Sequence, residues 1–449
     1  MPGAVLLAVV LLAVAPLAPA LAYWQLTPQV DSGVTYETNP RYISDEAKAA
    51  QEALDPGATA NVMGNYLDAR IEAVYQTPTD QWSLTPRIRK TDYLKSNRDL
   101  NDDDLYLDFS ALHGGTRGNI SLAAAYQETG VRTSEFDSAT PDNPDDPLPT
   151  GTGGGRFSDT TQKTLNLRPT LNYQVSPRNI AGLSGEFSDT SYSRQRSDTS
   201  VGGYLDYKYS SVDLSVRHYL NAKNSFGMAL NGGNFIATQA GTPFENSTDS
   251  FGINASYDHT FSETLSGNAT AGVSRSSVNV SGIRAGFDPL TGFQCSPAIP
   301  CTVSNEERNF TGNVSLRRRS ELTTMNLSLA RQIAPRSDGT EVVQDQLRFF
   351  IERPLTRKLR GSLGAVASQE SAVGRIFQQG SATGTLARQD RTYVTVDSRI
   401  AWQLTEALSA YGTYTYVSDK NSRSTGNDSQ VQNNRLYFGI LYRAIVFRR

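Results

Sequence analysis

A membrane-spanning, up-and-down antiparallel β-barrel of about eighteen strands is the fold that this 449-residue sequence predicts, and three observations predict it. Apolar and polar residues alternate with period two through most of the chain, which places successive side chains on opposite faces of a sheet. Turns of a few residues alternate with long polar connections. An export-type leader precedes the first strand.

The leader is the apolar run Ala4 to Ala15, followed by the small-x-small pattern Ala20-Leu21-Ala22. Residues 1–22 therefore read as a signal peptide, and 23–449 as a single barrel domain. Export implies an oxidising compartment, where Cys295 and Cys301 are expected to close one small loop as a disulfide.

The strands follow in order. The first lies near Gln25–Tyr36. In 63–76, Met63, Leu67, Ala69, Ile71, Ala73 and Tyr75 share one face, and Tyr66, Asp68, Arg70, Glu72 and Gln76 the other. After the turn Thr77-Pro78-Thr79-Asp80, Trp82, Leu84, Pro86 and Ile88 alternate with Ser83, Thr85, Arg87 and Arg89, which makes a hairpin. The unit recurs around His113–Arg117, Ser176–Asn179, Ser262–Thr264 and Thr405–Ala407. Between hairpins run the long connections 38–62, 94–102, 131–160, 191–202, 238–247, 281–306, 333–342, 372–390 and 419–432. Counting through gives eighteen strands, eight short turns and nine long loops, with both ends of the barrel domain on the short-turn side. One strand breaks phase: Leu205, Tyr207 and Tyr209 give way to Val212, Leu214 and Val216 across Ser210-Ser211, and a β-bulge is expected there.

A soluble sandwich hides its apolar faces against each other and runs to about 100 residues. Eighteen long strands with short turns at one end and long loops at the other fit a barrel in lipid, closed so that no edge strands its backbone groups in hydrocarbon. Tyr75, Trp82, Tyr126, Tyr173, Phe187, Phe226, Tyr257, Phe261, Trp402, Tyr414 and Tyr442 are the candidates for the interfacial girdles. The short turns are then periplasmic, the long loops extracellular, and the location is the bacterial outer membrane. In the last strand Leu436, Phe438, Ile440, Tyr442, Ala444 and Val446 alternate with Arg435, Tyr437, Gly439, Leu441 and Arg443. This resembles the C-terminal signal that barrel-assembly machinery reads, although Arg448-Arg449 follow Phe447 where such signals end on an aromatic residue.

Composition narrows the function. Lys and Arg number 42 against 45 Asp and Glu, for a net charge of −3, so no sequence-wide positive field exists for nucleic acid. Three histidines and two cysteines leave few soft metal ligands, and neither a metal nor a cofactor is expected. His113 falls in a short turn, and His218 and His259 on the predicted lipid face, so no Ser/His/Asp cluster forms inside and no enzyme is expected. Too few residues precede the first strand for the plug domain of a receptor-type transporter.

The face opposite the apolar one carries Asp68, Arg70, Glu72, Arg87, Arg89, Asp108, Arg168, Glu186, Arg348, Asp397, Arg399 and Arg435, the predicted lumen-lining set. Barrels of 16–18 strands are wide enough for a water-filled lumen, whose charges set selectivity. The same charges could instead pair across strands and fill the interior. Passage of small hydrophilic solutes and a non-conducting scaffold presenting its loops thus both remain open. Ser44-Asp45-Glu46 followed by Ala47 to Leu54 predicts a short helix in the first long loop, at the surface or at a pore constriction. Asp137, Asp142, Asp145 and Asp146 lack EF-hand spacing and read as solvated loop.

Trp24-Gln25-Leu26-Thr27-Pro28, Thr35-Tyr36-Glu37-Thr38-Asn39-Pro40 and the Ser-Pro-Arg-Asn turn resemble the porin-2 type of outer-membrane β-barrel, a group associated with exopolysaccharide and exosortase systems. The resemblance extends in pattern over most of 23–449 and implies surface-polysaccharide export as a further use of the barrel.

Overall fold

The computed structural model describes residues 23–54, 61–94, 100–131, 160–194, 205–238, 245–283, 286–287, 294–295, 301–335, 341–372, 389–423, 429–444 and 447–448. Eighteen long strands are present among them: β1 (Tyr23–Glu37), β2 (Val62–Gln76), β3 (Asp80–Tyr93), β4 (Asp102–Gly114), β5 (Gly118–Gly130), β6 (Thr160–Ser176), β7 (Asn179–Arg194), β8 (Asp206–Asn221) and β9 (Asn224–Thr238), then β10 (Glu245–Ser262), β11 (Leu265–Ile283), β12 (Cys301–Arg319), β13 (Thr324–Pro335), β14 (Glu341–Pro354), β15 (Leu359–Ala372), β16 (Gln389–Gln403), β17 (Leu408–Arg423) and β18 (Ser429–Arg443). Each pairs antiparallel with the next, and β18 returns to β1 from Gln29↔Arg443 to Glu37↔Arg435, which closes the barrel. Beyond Arg443 the chain steps out of the ladder. Ala444 N–H donates to the Pro28 carbonyl at 2.9 Å, and the two-residue strand Phe447–Arg448 rejoins β1 at Leu26 and Gln25.

Eight short connections close one end. In six of them a Ser or Thr oxygen accepts a backbone N–H two or three residues on and so replaces a backbone turn bond, Asn221 Oδ1 does the same before β9, and Gly114-Gly115 carry the turn before β5. Thr77 Oγ1 accepts from Asp80 N–H at 2.8 Å, Thr356 Oγ1 from Leu359 at 3.0 Å and Thr405 Oγ1 from Leu408 at 3.0 Å. His113 closes β4, outside the turn in which the sequence placed it.

The large apolar side chains point away from the barrel axis and stay exposed: Ile88, Val212 and Phe310 are each 57–58% accessible. From Trp82 to Ile88 the outward residues cover about 20 Å of strand at about 3.4 Å per residue. At the short-turn end Trp24, Tyr75 and Trp82 form a contiguous aromatic row, with centroids 5.0 and 6.1 Å apart. No helix among the described residues is long and apolar enough to cross a membrane.

The phase change expected in β8 does not occur. Its pairing with β7 and β9 runs through Ser210 and Ser211 without a register shift. Tyr207 and Tyr209 lie on the inner face, where Tyr207 is buried with Leu205, Phe235 and Ala237. An apolar patch on the inner wall, and no bulge, explains the pattern. The helix predicted after Ser44 is present as α1 (Asp45–Leu54), begun by Lys48 N–H donating to the Ser44 carbonyl at 3.1 Å. The expected signal peptide 1–22, the aspartates 137–146 and the side chains of Cys295 and Cys301 lie outside the described residues.

Candidate functional site: the inner wall

Alternation along each strand and the cross-strand register together assign every inner position. Asp68, Arg70 and Glu72 on β2, Arg87 and Arg89 on β3, Asp108 on β4, Arg168 on β6, Glu186 on β7, Arg348 on β14, Asp397 and Arg399 on β16, and Arg435 on β18 all lie on the face opposite the apolar one. They are not evenly spread. The structure gathers most of them on the wall formed by β16–β18 and β1–β4.

Adjacent strands tie these charges into pairs. Arg87 Nε donates to Asp68 at 2.8 and 3.0 Å, a diagonal partner rather than the residue directly opposite. Arg89 Nε donates to Asp104 at 3.0 Å and its Nη2 to Tyr106 Oη at 3.0 Å. Across the barrel, Arg168 bonds Glu186 at 2.7 Å. Arg70 Nη2 donates to Gln29 at 3.0 Å. Arginine planes lie over tyrosine rings, Arg87 5.0 Å from the Tyr106 centroid and Arg399 4.2 Å from that of Tyr411, which holds the guanidinium groups in fixed directions.

Two groups on the inner face were not singled out in the sequence. At the β1–β18 seam Tyr66 and Tyr411 approach from either side and donate to Asp31 at 2.7 and 2.8 Å. They lie over Gly439, where a Cβ would come 2.8 Å from both phenol hydroxyls. Nearer the long loops a polar ladder crosses five strands. Gln332 donates to Gln344 at 3.1 Å, Gln344 to Glu370 at 3.1 Å, and Arg391 lies 3.9 Å from Glu370 while donating to both carboxylate oxygens of Asp419 at 2.9 and 3.0 Å. Glu37, buried, accepts from Tyr93, and from Asn433 and Arg435 at 3.4 and 3.3 Å.

The start of the first long loop turns inward over this end. Asn39 acts as a hook: its side chain donates to the Gln432 and Ile43 carbonyls at 3.0 and 2.9 Å and accepts from Ile43 N–H at 3.0 Å. The turn carries Tyr42 at φ 49°, left-handed for a non-glycine residue, and seats its ring against Val417, with Tyr393 and Val431 beside it. Inner-face side chains near the long loops are accordingly buried, whereas most of those near the short turns are half-buried or open, Thr27 and Ser225 being buried there too.

The three histidines sit on the outer face. His113 Nδ1 lies 2.6 Å from Asp80 Oδ1, His218 Nδ1 2.8 Å from Asn179 Oδ1, and His259 Nδ1 2.6 Å from Asn224 Oδ1.

No protein-family model matches the sequence, and no curated protein does. Solved structures match over nearly the whole chain. OccK2 (OpdF) of Pseudomonas aeruginosa, solved in complex with glucuronate, is 10% identical with a TM-score of 0.39, over 94% of this chain and 98% of its own. The outer membrane channel DcaP of Acinetobacter baumannii is 12% identical with a TM-score of 0.36, over 95% and 99%. The ferric enterobactin receptor PfeA of Pseudomonas aeruginosa is 8% identical with a TM-score of 0.42, over 95% and 81%.

Proposed function

We propose that the chain is a porin-like barrel of the bacterial outer membrane that passes small hydrophilic solutes, with its narrowest part at the long-loop end. One observation carries the reading: a single closed sheet presents exposed aliphatic side chains outward and charged or amide side chains inward. Such a sheet is stable only where its outside meets hydrocarbon and its inside meets water. The short turns then face the periplasm, the long loops the exterior. In assembly the last strand is the segment read by the barrel-inserting machinery.

The Tyr42 turn and the ladder from Gln332 to Asp419 support a constriction near the exterior, because fixed, paired side chains there leave less room than the open wall below. The same burial favours the second reading, a non-conducting barrel filled at that end. Planar-bilayer recording separates them. Discrete conductance steps after verified insertion support the channel, and silence rejects it. No observation favours export of polysaccharide.

A further inference from the structure

At the long-loop end one seam of the barrel parts. The β12–β13 ladder ends at Gly312↔Arg331, yet β12 runs on through the eleven residues 301–311 and β13 through the four residues 332–335. At every other seam the pairing comes within two residues of the top of at least one strand. Above the parting β12 stays with β11, from Gly272↔Thr311 to Ile283↔Cys301, and β13 follows β14 up to Pro335↔Glu341. The split begins beside the outward Arg331–Asp345 pair, 3.4 Å apart, so the freed edge stands in water and not in hydrocarbon.

Proline explains why the strands do not rejoin. Arg319 N–H bonds the Thr264 carbonyl on the β11 side, and Ser320 N–H bonds the Thr323 carbonyl on the β13 side. Along β12 the odd-numbered backbone groups therefore point to β11 and the even-numbered ones to β13. Continued in the same register, Phe310 would face Ile333 and Arg308 would face Pro335, which has no N–H to give. The N–H and C=O groups of Phe310, Arg308, Glu306 and Ser304 thus line an edge with no strand beside it among the described residues.

Such an edge is a template for another chain, which proteins ordinarily blunt with proline, a bulge or a covering loop. From Ser304 to Phe310 β12 has none of these: its register with β11 is unbroken, and Ser304, Asn305, Glu306, Arg308 and Phe310 are exposed. Arg308 sits directly opposite Arg275, whose guanidinium lies 2.5 Å from Glu306, so the Arg308 charge is left uncompensated.

Resting on the membrane orientation proposed above, we infer that the β12 edge takes an extended peptide segment of another protein outside the cell, added antiparallel as a further strand. Main-chain hydrogen bonds to residues 304–310 supply the affinity, and cross-strand side chains select the partner. The incoming strand places an apolar residue opposite Phe310 and, two positions later, a carboxylate opposite Arg308.

The probe is the fluorophore-labelled peptide acetyl-Ile-Thr-Glu-Thr-Thr-Thr-Val-amide, titrated by anisotropy against the purified full chain in neutral detergent. The version with Lys in place of Glu should bind about tenfold more weakly. Arg308→Glu should reverse that order. Glu306→Pro removes an edge N–H that points away from β11, and should abolish binding of both peptides. Gel mobility before and after heating checks that each variant is still a folded barrel. No saturable binding of the Glu peptide, equal affinity for the two peptides, or binding that survives Glu306→Pro in folded protein overturns the inference. So does a dimer in native mass spectrometry that Glu306→Pro abolishes, since the edge then belongs to a second copy of this chain. Conductance is read separately, so a silent barrel that binds the peptide counts against the channel and leaves the edge standing.

Discussion

Neutralising Asp419 isolates the energetic role of the inner ladder. Asp419→Asn keeps size and shape but removes the carboxylate to which Arg391 donates at 2.9 and 3.0 Å, and the two side chains are only 5% and 3% exposed. Hydrogen bonds to a charged group contribute about 1.5–3 kcal/mol each, and breaking a buried pair costs about 3–5 kcal/mol because the surviving charge is left in poor solvent. Glu370, at 3.9 Å, keeps part of the balance, which brings the expected loss to about 3 kcal/mol. The assay is urea titration of the barrel in lipid vesicles, followed by tryptophan fluorescence. The triple variant Glu370→Gln, Arg391→Met, Asp419→Leu should recover most of the loss, since no charge remains to be solvated. A loss below about 1 kcal/mol for Asp419→Asn would show that water reaches the pair as freely as it reaches a surface ion pair, and the reasoning would fail.

Three other outcomes are expected. Val314→Arg, in the outward apolar band, should destabilise the vesicle-bound barrel by about 2–4 kcal/mol, whereas Asn313→Arg on the inner face should cost much less; equal effects would mean the faces are not distinct. Gly439→Ala places a Cβ against Tyr66 and Tyr411, and should lower the temperature at which the compact form on a gel converts to the extended one; an unchanged transition would show the seam is not packed as described. Asn39→Ala removes three side-chain hydrogen bonds holding the inward turn, and should raise single-channel conductance or its noise; identical traces would remove the turn from the constriction.

Strand number and order were legible because a sheet with lipid on one face and water on the other enforces a strict alternation. Boundaries were less so. Arg391 and Asp419 lie at the edges of stretches read as loop, because β16 and β17 run on past the apolar band and their outward residues turn polar there. Once both faces are polar, period two no longer shows. Tyr207 and Tyr209 were misplaced because an apolar side chain on the inner wall looks like a change of face. Which charges pair was not readable at all: Arg87 meets Asp68 diagonally, a matter of side-chain direction that spacing does not encode. The inward fold of Asn39 and Tyr42 depends on Asn433 and Gln432, close to 400 residues away.

The most direct test of the central claim is a spin-label scan along β8. Single cysteines would replace residues 212–217 in a Cys295→Ser, Cys301→Ser background, with the protein in lipid vesicles. Labels at Val212, Leu214 and Val216 should relax with lipid-soluble oxygen, and labels at Asp213, Ser215 and Arg217 with a water-soluble nickel complex, in strict alternation. Uniform access of the nickel complex to all six positions, or alternation in the opposite phase, would contradict it.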